Sequence, residues 1–162
     1  MNCWKPCIFC LPGLLLASLL TSEGLAGTWA TGKAVEVDRC AAAWLIARKV
    51  DTTAEFIFLE DNQLPPKQAT PFDLPVAELR RDHKRSTYES ILAKYNIQDQ
   101  KSIEIGKLVR LIELNFFGQN TQDARTLETD LRKLFHESAD NEESYQRCFQ
   151  YLDTFTTQTT TK

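Results

Sequence analysis

The chain lacks most of the features that announce a chemistry. It has no nucleophile elbow, no glycine-rich phosphate loop, no zinc-protease helix and no internal repeat. It has no excess of base: 19 Lys and Arg against 22 Asp and Glu leave a formal net charge of −3 at pH 7. A mildly acidic chain has no overall field with which to draw nucleic acid or anionic lipid, so neither is expected as a partner. An apolar run long enough to cross a bilayer is also missing. Spanning takes about 20 residues, and IFCLPGLLLASLL at residues 8–20 is shorter and is interrupted by Pro12 and Gly13.

That run fits a different pattern. One base, Lys5, precedes it, and the small polar stretch TSEGLA follows, with Gly24 and Ala26 at the −3 and −1 positions of a cut after Ala26. This is the pattern of a secretory signal over residues 1–26, ahead of an exported domain, periplasmic or secreted, that has no membrane attachment once the signal is removed. An uncleaved anchor and a buried helix are the alternatives. Cleavage would take Cys3, Cys7 and Cys10, leaving Cys40 and Cys148 without any CxxC pair or Cys/His metal spacing. Two cysteines in an oxidising compartment suggest one disulfide, Cys40–Cys148. A loop of about 100 residues closed in this way is worth up to about 4.7 kcal/mol in the chain-entropy account.

Residues 27–156 then form one domain, with 157–162 expected to be a disordered tail. KAVEV at 33–37 reads as a short strand, and Asp38 as the N-cap of an Ala-rich helix whose Ala41, Trp44, Leu45 and Arg48 share a face. AEFIFL at 54–59 reads as a strand with Phe56 and Phe58 on one side. DNQLPPKQATPFDLP at 61–75 holds four prolines and reads as a long loop. Ser86 and Glu89 form a capping box, followed by Tyr88, Ile91, Leu92 and Tyr95 at helical spacing. A helix is expected over 101–117, with Ile105, Leu108, Val109, Ile112 and Phe116 inward and Gly118 as its stop. Two more follow, over 121–136 and from about 140, the last burying Tyr145, Cys148, Phe149 and Leu152. The expected fold is α+β and mostly helical: a small strand element with about five packed helices.

Three places could carry chemistry. A helix start at Asp38, Arg39 and Cys40 would bind anions and lower a thiol pKa; equally, Asp38 only caps and Cys40 is buried or half of a disulfide. Residues 78–89 (ELRRDHKRSTYE) gather Arg80, Arg81, His83, Lys84 and Arg85 ahead of the helix start at Ser86, which suits a tetrahedral oxyanion. The alternative there is a solvated basic turn balanced by Glu78 and Asp82. His83, Glu89 and Glu113 are a weaker set of metal ligands, since Glu89 already has a capping duty. Arg110 and Glu113, one turn apart, read as a surface ion pair, and His136 reads as a helix C-terminal cap.

The runs VDRCAAAWLIARKVDTTAEFIFL, TPFDLPVAELRRDHKRSTYESILAKY and IGKLVRLIELNFFG together resemble the chromate resistance protein family. That family includes the C-terminal domain of the chromate-responsive regulator and stand-alone exported members. The resemblance covers residues 29–118, with a weaker echo at RCFQYLD (147–153). It implies a link to chromate tolerance or sensing and points to Asp38, Arg39, Trp44, Asp73, Glu78, Arg81, His83 and Glu89. One departure stands out: relatives often carry a His-Asp pair where this chain has Arg110 and Leu111, a change that favours an anion over a metal. The regulator's DNA-binding half has no counterpart in these runs.

The expected function is that of a non-catalytic accessory or sensor domain for a small inorganic oxyanion such as chromate, without a cofactor. Its ligand set is drawn from Asp38, Arg39, Cys40, Arg80, Arg81, His83, Glu89 and Arg110. In the sharpest form of this expectation Arg39, Arg81 and His83 converge on one pocket, completed by helix-start amides. The alternatives are a Cys- or metal-dependent chromate reductase, which needs a free Cys40 thiolate or a bound metal, and a structural or interaction domain without a ligand.

Overall fold

The computed structural model describes residues 27–114, 118 and 120–157. The expected signal, Phe116 and the tail beyond Thr157 lie outside the described residues. The elements run β1 (Thr28–Gly32), α1 (Val37–Leu45), β2 (Glu55–Leu59), β3 (Thr70–Pro71), α2 (Thr87–Lys94), α3 (Gln100–Glu113), α4 (Gln122–Glu137) and α5 (Asn141–Thr154). This is the expected α+β, mostly helical architecture. The three strands form one parallel sheet in the order β2-β1-β3.

The first strand is TWATG, not KAVEV. Val35 and Val37 alternate as a strand would, but Val37 is needed in the helical core, where it is buried. Thr28, Trp29 and Thr31 supply the β-branched and aromatic side chains that pair with β2. β3 hides inside the proline-rich loop, where Trp29 and Ala30 pair with Thr70 and Pro71. Pro71 is tolerated because β3 is an edge.

Trp29, Phe56 and Phe58 face the helices, while Ala30 and Leu59 form a small second cluster with Ala69 on the other side of the sheet. α1 is the central helix, touched by α2, α3, α4 and α5. Ala41, Ala42 and Ala43 are wholly buried, and their small side chains let the surrounding helices approach on several sides. Past Leu45 the helix widens by one residue over Ile46–Val50, where the Asp51 N–H donates to the Ile46 carbonyl at 2.9 Å. Arg48, expected on the inward face, is partly exposed and binds Asp153 while lying over Phe149.

α3 ends earlier than expected, at Glu113 with Leu114 as its cap, so Gly118 does not stop it. Gly118 has φ +68°, a left-handed linker residue beyond the helix. Within α3, Gly106 is the point of closest approach to α2. A Cβ there would come within 2.9 Å of Leu92 and 3.1 Å of Tyr88. Cys40 of α1 and Cys148 of α5 form a disulfide with 6.7 Å between Cα atoms, joining the central helix to the last one.

Candidate functional site

A parallel sheet ordered β2-β1-β3 sends its connections to opposite sides of the middle strand, and the crevice at that strand's carboxyl end is where such sheets ordinarily bind ligands. Here the carboxyl end of β1 leads through Gly32 and residues 33–36 into α1. Beside it, the chain after β3 turns at Asp73, which has φ +49°, and forms a bridge from Phe72 to Leu79 that brings Arg80 and Arg81 back to the start of α1. The geometry is built from sequence neighbours of β1 and β3, and its chemistry is a network of arginines and carboxylates.

Asp38 is not the cap of its own helix. α1 begins at Val37 after the extended residue Glu36, and Asp38 turns inward. Its carboxylate accepts the backbone N–H of Thr87 at 2.7 Å and of Tyr88 at 2.9 Å, so it caps α2 from another element. Ser86 Oγ takes the next N–H, that of Glu89, at 3.1 Å, and Glu89 answers by accepting from Ser86 N at 3.0 Å, the expected capping box. The first N–H groups of α2 are therefore all spent on the protein's own oxygens. At the start of α1 the Glu113 carboxylate lies near the Asp38 N–H, which favours its charged form. At α2 the expected oxyanion cradle of helix-start amides is closed, because Asp38 and Ser86 already occupy the positive helix end.

Asp73 links the two sides. It accepts from Thr87 Oγ1 at 2.7 Å and from Arg39 Nε at 2.7 Å. Arg39 also donates to the Ala34 carbonyl, and its side chain is largely buried. Arg81 pairs with Glu113 at 2.5 Å, the arginine half-exposed and the carboxylate nearly covered. Arg80 donates to the Pro75 carbonyl. Burial pushes the Asp38 carboxyl from 3.8 up to about 7, against the pull of the Tyr88 and Thr87 N–H groups and with a further push from Asp73. Burial also raises Glu113, opposed by Arg81 and by the Asp38 N–H.

A cleft of about 270 Å³ opens on this network, lined by Glu36, Arg39, Asp73, Leu74, Pro75, Arg80 and Arg81. It adjoins a larger hollow of about 700 Å³ at the ends of β1 and β2, which shares Glu36, Arg39 and Asp73 with it. Arg39, Arg80 and Arg81 thus come together. His83 does not line the cleft and is exposed on the turn before α2. Arg110 is drawn elsewhere: it binds Glu89 at 3.1 Å and the Lys84 carbonyl, not Glu113 as its spacing suggested. Cys40 is wholly buried in its disulfide. His83, Glu89 and Glu113 do not assemble, and among the described residues no group of three or more His, Cys, Asp or Glu side chains could hold a metal ion. The residues that sequence reasoning missed are Thr87 and Glu36. Thr87 lies inside the capping box, but its partner Asp73 is 14 positions away, and no local pattern points to it.

These features define a small α+β domain with a parallel three-stranded sheet and an arginine-carboxylate cleft at the carboxyl end of its middle strand. The family described as ChrB, C-terminal domain, matches residues 29–159, and the chain belongs to it. The match extends well past the 29–118 stretch that carries the motifs and takes in α4 and α5. Protein ChrB of Cupriavidus metallidurans is 33% identical over 87 residues, which is 53% of this chain and 27% of that protein. The chain therefore corresponds to about a quarter of the curated relative it matches. No solved structure matches. Family membership ties the chain to chromate resistance.

Proposed function

We propose that this is an exported accessory or sensor domain that binds a small tetrahedral dianion such as chromate, without turning it over, in the cleft of Arg39, Arg80 and Arg81. The observation that carries the reading is the convergence of these three guanidiniums on one small cleft. Each arginine carries five N–H donors, and the internal partners use only some of them. Arg39 commits Nε and Nη1, Arg80 one Nη1 bond and Arg81 one Nη1 bond. The remaining forks suit the edges of a tetrahedral oxyanion, where charge-assisted hydrogen bonds are about twice as strong as neutral ones. Glu36 and Asp73 in the same wall offset part of the positive charge, so binding is selective for a dianion that all three arginines can share and is of modest affinity. Cys40, wholly enclosed in a disulfide, supplies no thiolate to a reductase.

Calorimetric titration of the protein with chromate and with sulfate tests the reading. One site of similar affinity for both dianions is expected, weakened about tenfold or more, roughly one charge-assisted contact, in Arg81→Ala and in Arg80→Ala. Absence of binding, or binding indifferent to both substitutions, overturns it.

A further inference from the structure

The cleft uses the carboxyl end of β1, and the outer border of the sheet is left over. β2 pairs only with β1. The Glu55 N–H donates to the Gly27 carbonyl, and the Leu59 carbonyl accepts from Lys33 N. Residues 55, 57 and 59 therefore spend their backbone groups inward, and Phe56 and Phe58 turn theirs outward. Among the described residues nothing pairs with those outward groups. Edge strands are ordinarily blunted by Lys, Pro or a bulge; EFIFL has none of these.

Next to this edge lies an aromatic groove of about 430 Å³. Phe56, Phe58, Tyr145 and Phe149 line it, with Glu142 and Gln146 on its rim. Phe58 stacks on Tyr145 at 4.6 Å, and Phe149 meets Phe56 and Tyr145 edge-on at 6.2 and 6.4 Å. Phe149 already accepts a guanidinium, since Arg48 lies 5.6 Å from the centre of its ring. Glu55 and Glu142 are exposed, and neither has a basic partner among the described residues.

We propose that the β2 edge and this groove dock an extended segment of a partner protein in which arginine or lysine alternates with apolar residues. Its backbone adds a strand beside Phe56 and Phe58. A basic side chain lies on the aromatic floor and pairs with Glu142, combining a cation–π contact with a carboxylate. Charge selects this occupant over a second copy of the chain: Glu55 and Glu142 are acids without a basic partner among the described residues, and a second copy would bring the same acids to the edge rather than a base to answer them.

The test titrates the isotope-labelled protein with short synthetic peptides of alternating valine and arginine, and with the same peptides carrying glutamate for arginine. The arginine peptide is expected to saturate, to shift the Phe56 and Phe58 amides, and to bind about tenfold tighter than the glutamate peptide. Glu142→Gln, at an exposed position, weakens it about three- to tenfold. Methylation of the peptide nitrogens that face β2 abolishes binding. Equal binding of the two peptides, shifts confined to other surfaces, absence of saturation, or concentration-dependent self-association through β2 each overturns the proposal.

Discussion

A buried carboxylate that accepts two backbone N–H bonds is pulled in opposite directions, towards the neutral form by burial and towards the anion by its donors. At Asp38 burial dominates, and its pKa rises from 3.8 to about 7. Between about pH 4 and 7 the folded state then holds a proton that the unfolded state has released, so this group's contribution to stability falls as pH rises through that window and levels off above it. Glu113, also raised, acts in the same sense. Thermal unfolding followed from pH 4 to 8 is expected to show this decline, and Asp38→Asn to flatten it. The same substitution lowers stability at pH 5 by about 1–3 kcal/mol, because the amide NH2 confronts one of the two N–H groups it should accept. A wild-type profile that rises steadily from pH 4 to 7 would show that Asp38 titrates low. None of this was legible in the sequence, where Asp38 reads as a local cap. Its partners Thr87 and Tyr88 lie 49 and 50 positions away. The Ser86–Glu89 box, closed within three positions, was fully legible for the converse reason. Arg110 follows the same rule: spacing offered Glu113, and tertiary contact supplied Glu89.

At the scale of elements, the helices were read well and the sheet only in part. Thr121 and Asp140 each accept an N–H three residues on, so the starts of α4 and α5 are written locally. Strand β1 is short, and β3 is two residues long inside a proline-rich stretch, so only pairing with neighbours distant in the chain defines either of them. The Cys40–Cys148 bridge was legible because only two cysteines remain outside the first 26 residues. It ties α1 to α5 across 108 positions, and nothing else covalent holds the last helix to the central one. Replacing both cysteines by serine, or reducing the protein, is expected to cost about 2–5 kcal/mol and to lower Tm by on the order of 10 °C. An unchanged Tm under reducing conditions would mean that the bridge contributes nothing to stability.

For the whole molecule, the ingredients of the candidate site were visible before their arrangement was. Arg39, Arg80 and Arg81 were singled out from the helix start and the basic cluster, and Asp73 from the family motif. The fold does bring the three arginines together. It also divides the basic cluster, Arg80 and Arg81 turning to the cleft while His83 stays on the exposed turn, and from α3 Arg110 pins the Lys84 carbonyl to the capping box of α2. That partition depends on the return of the chain from Phe72 to Leu79, a non-local pairing that composition cannot display. The positive end of α2, attractive to an anion in the sequence, is filled by Asp38 and Ser86, so the proposed site draws on side-chain guanidiniums.

The position of the dianion decides the proposed function, and chromium is heavy enough to be located directly. Crystals soaked in chromate should show one chromium position in the anomalous map, within hydrogen-bonding reach of the guanidiniums of Arg39, Arg80 and Arg81, and sulfate should compete for it. A chromium position beside His83, Lys84 and Arg85 on the exposed turn, or no ordered position at any concentration that saturates binding in solution, would contradict it.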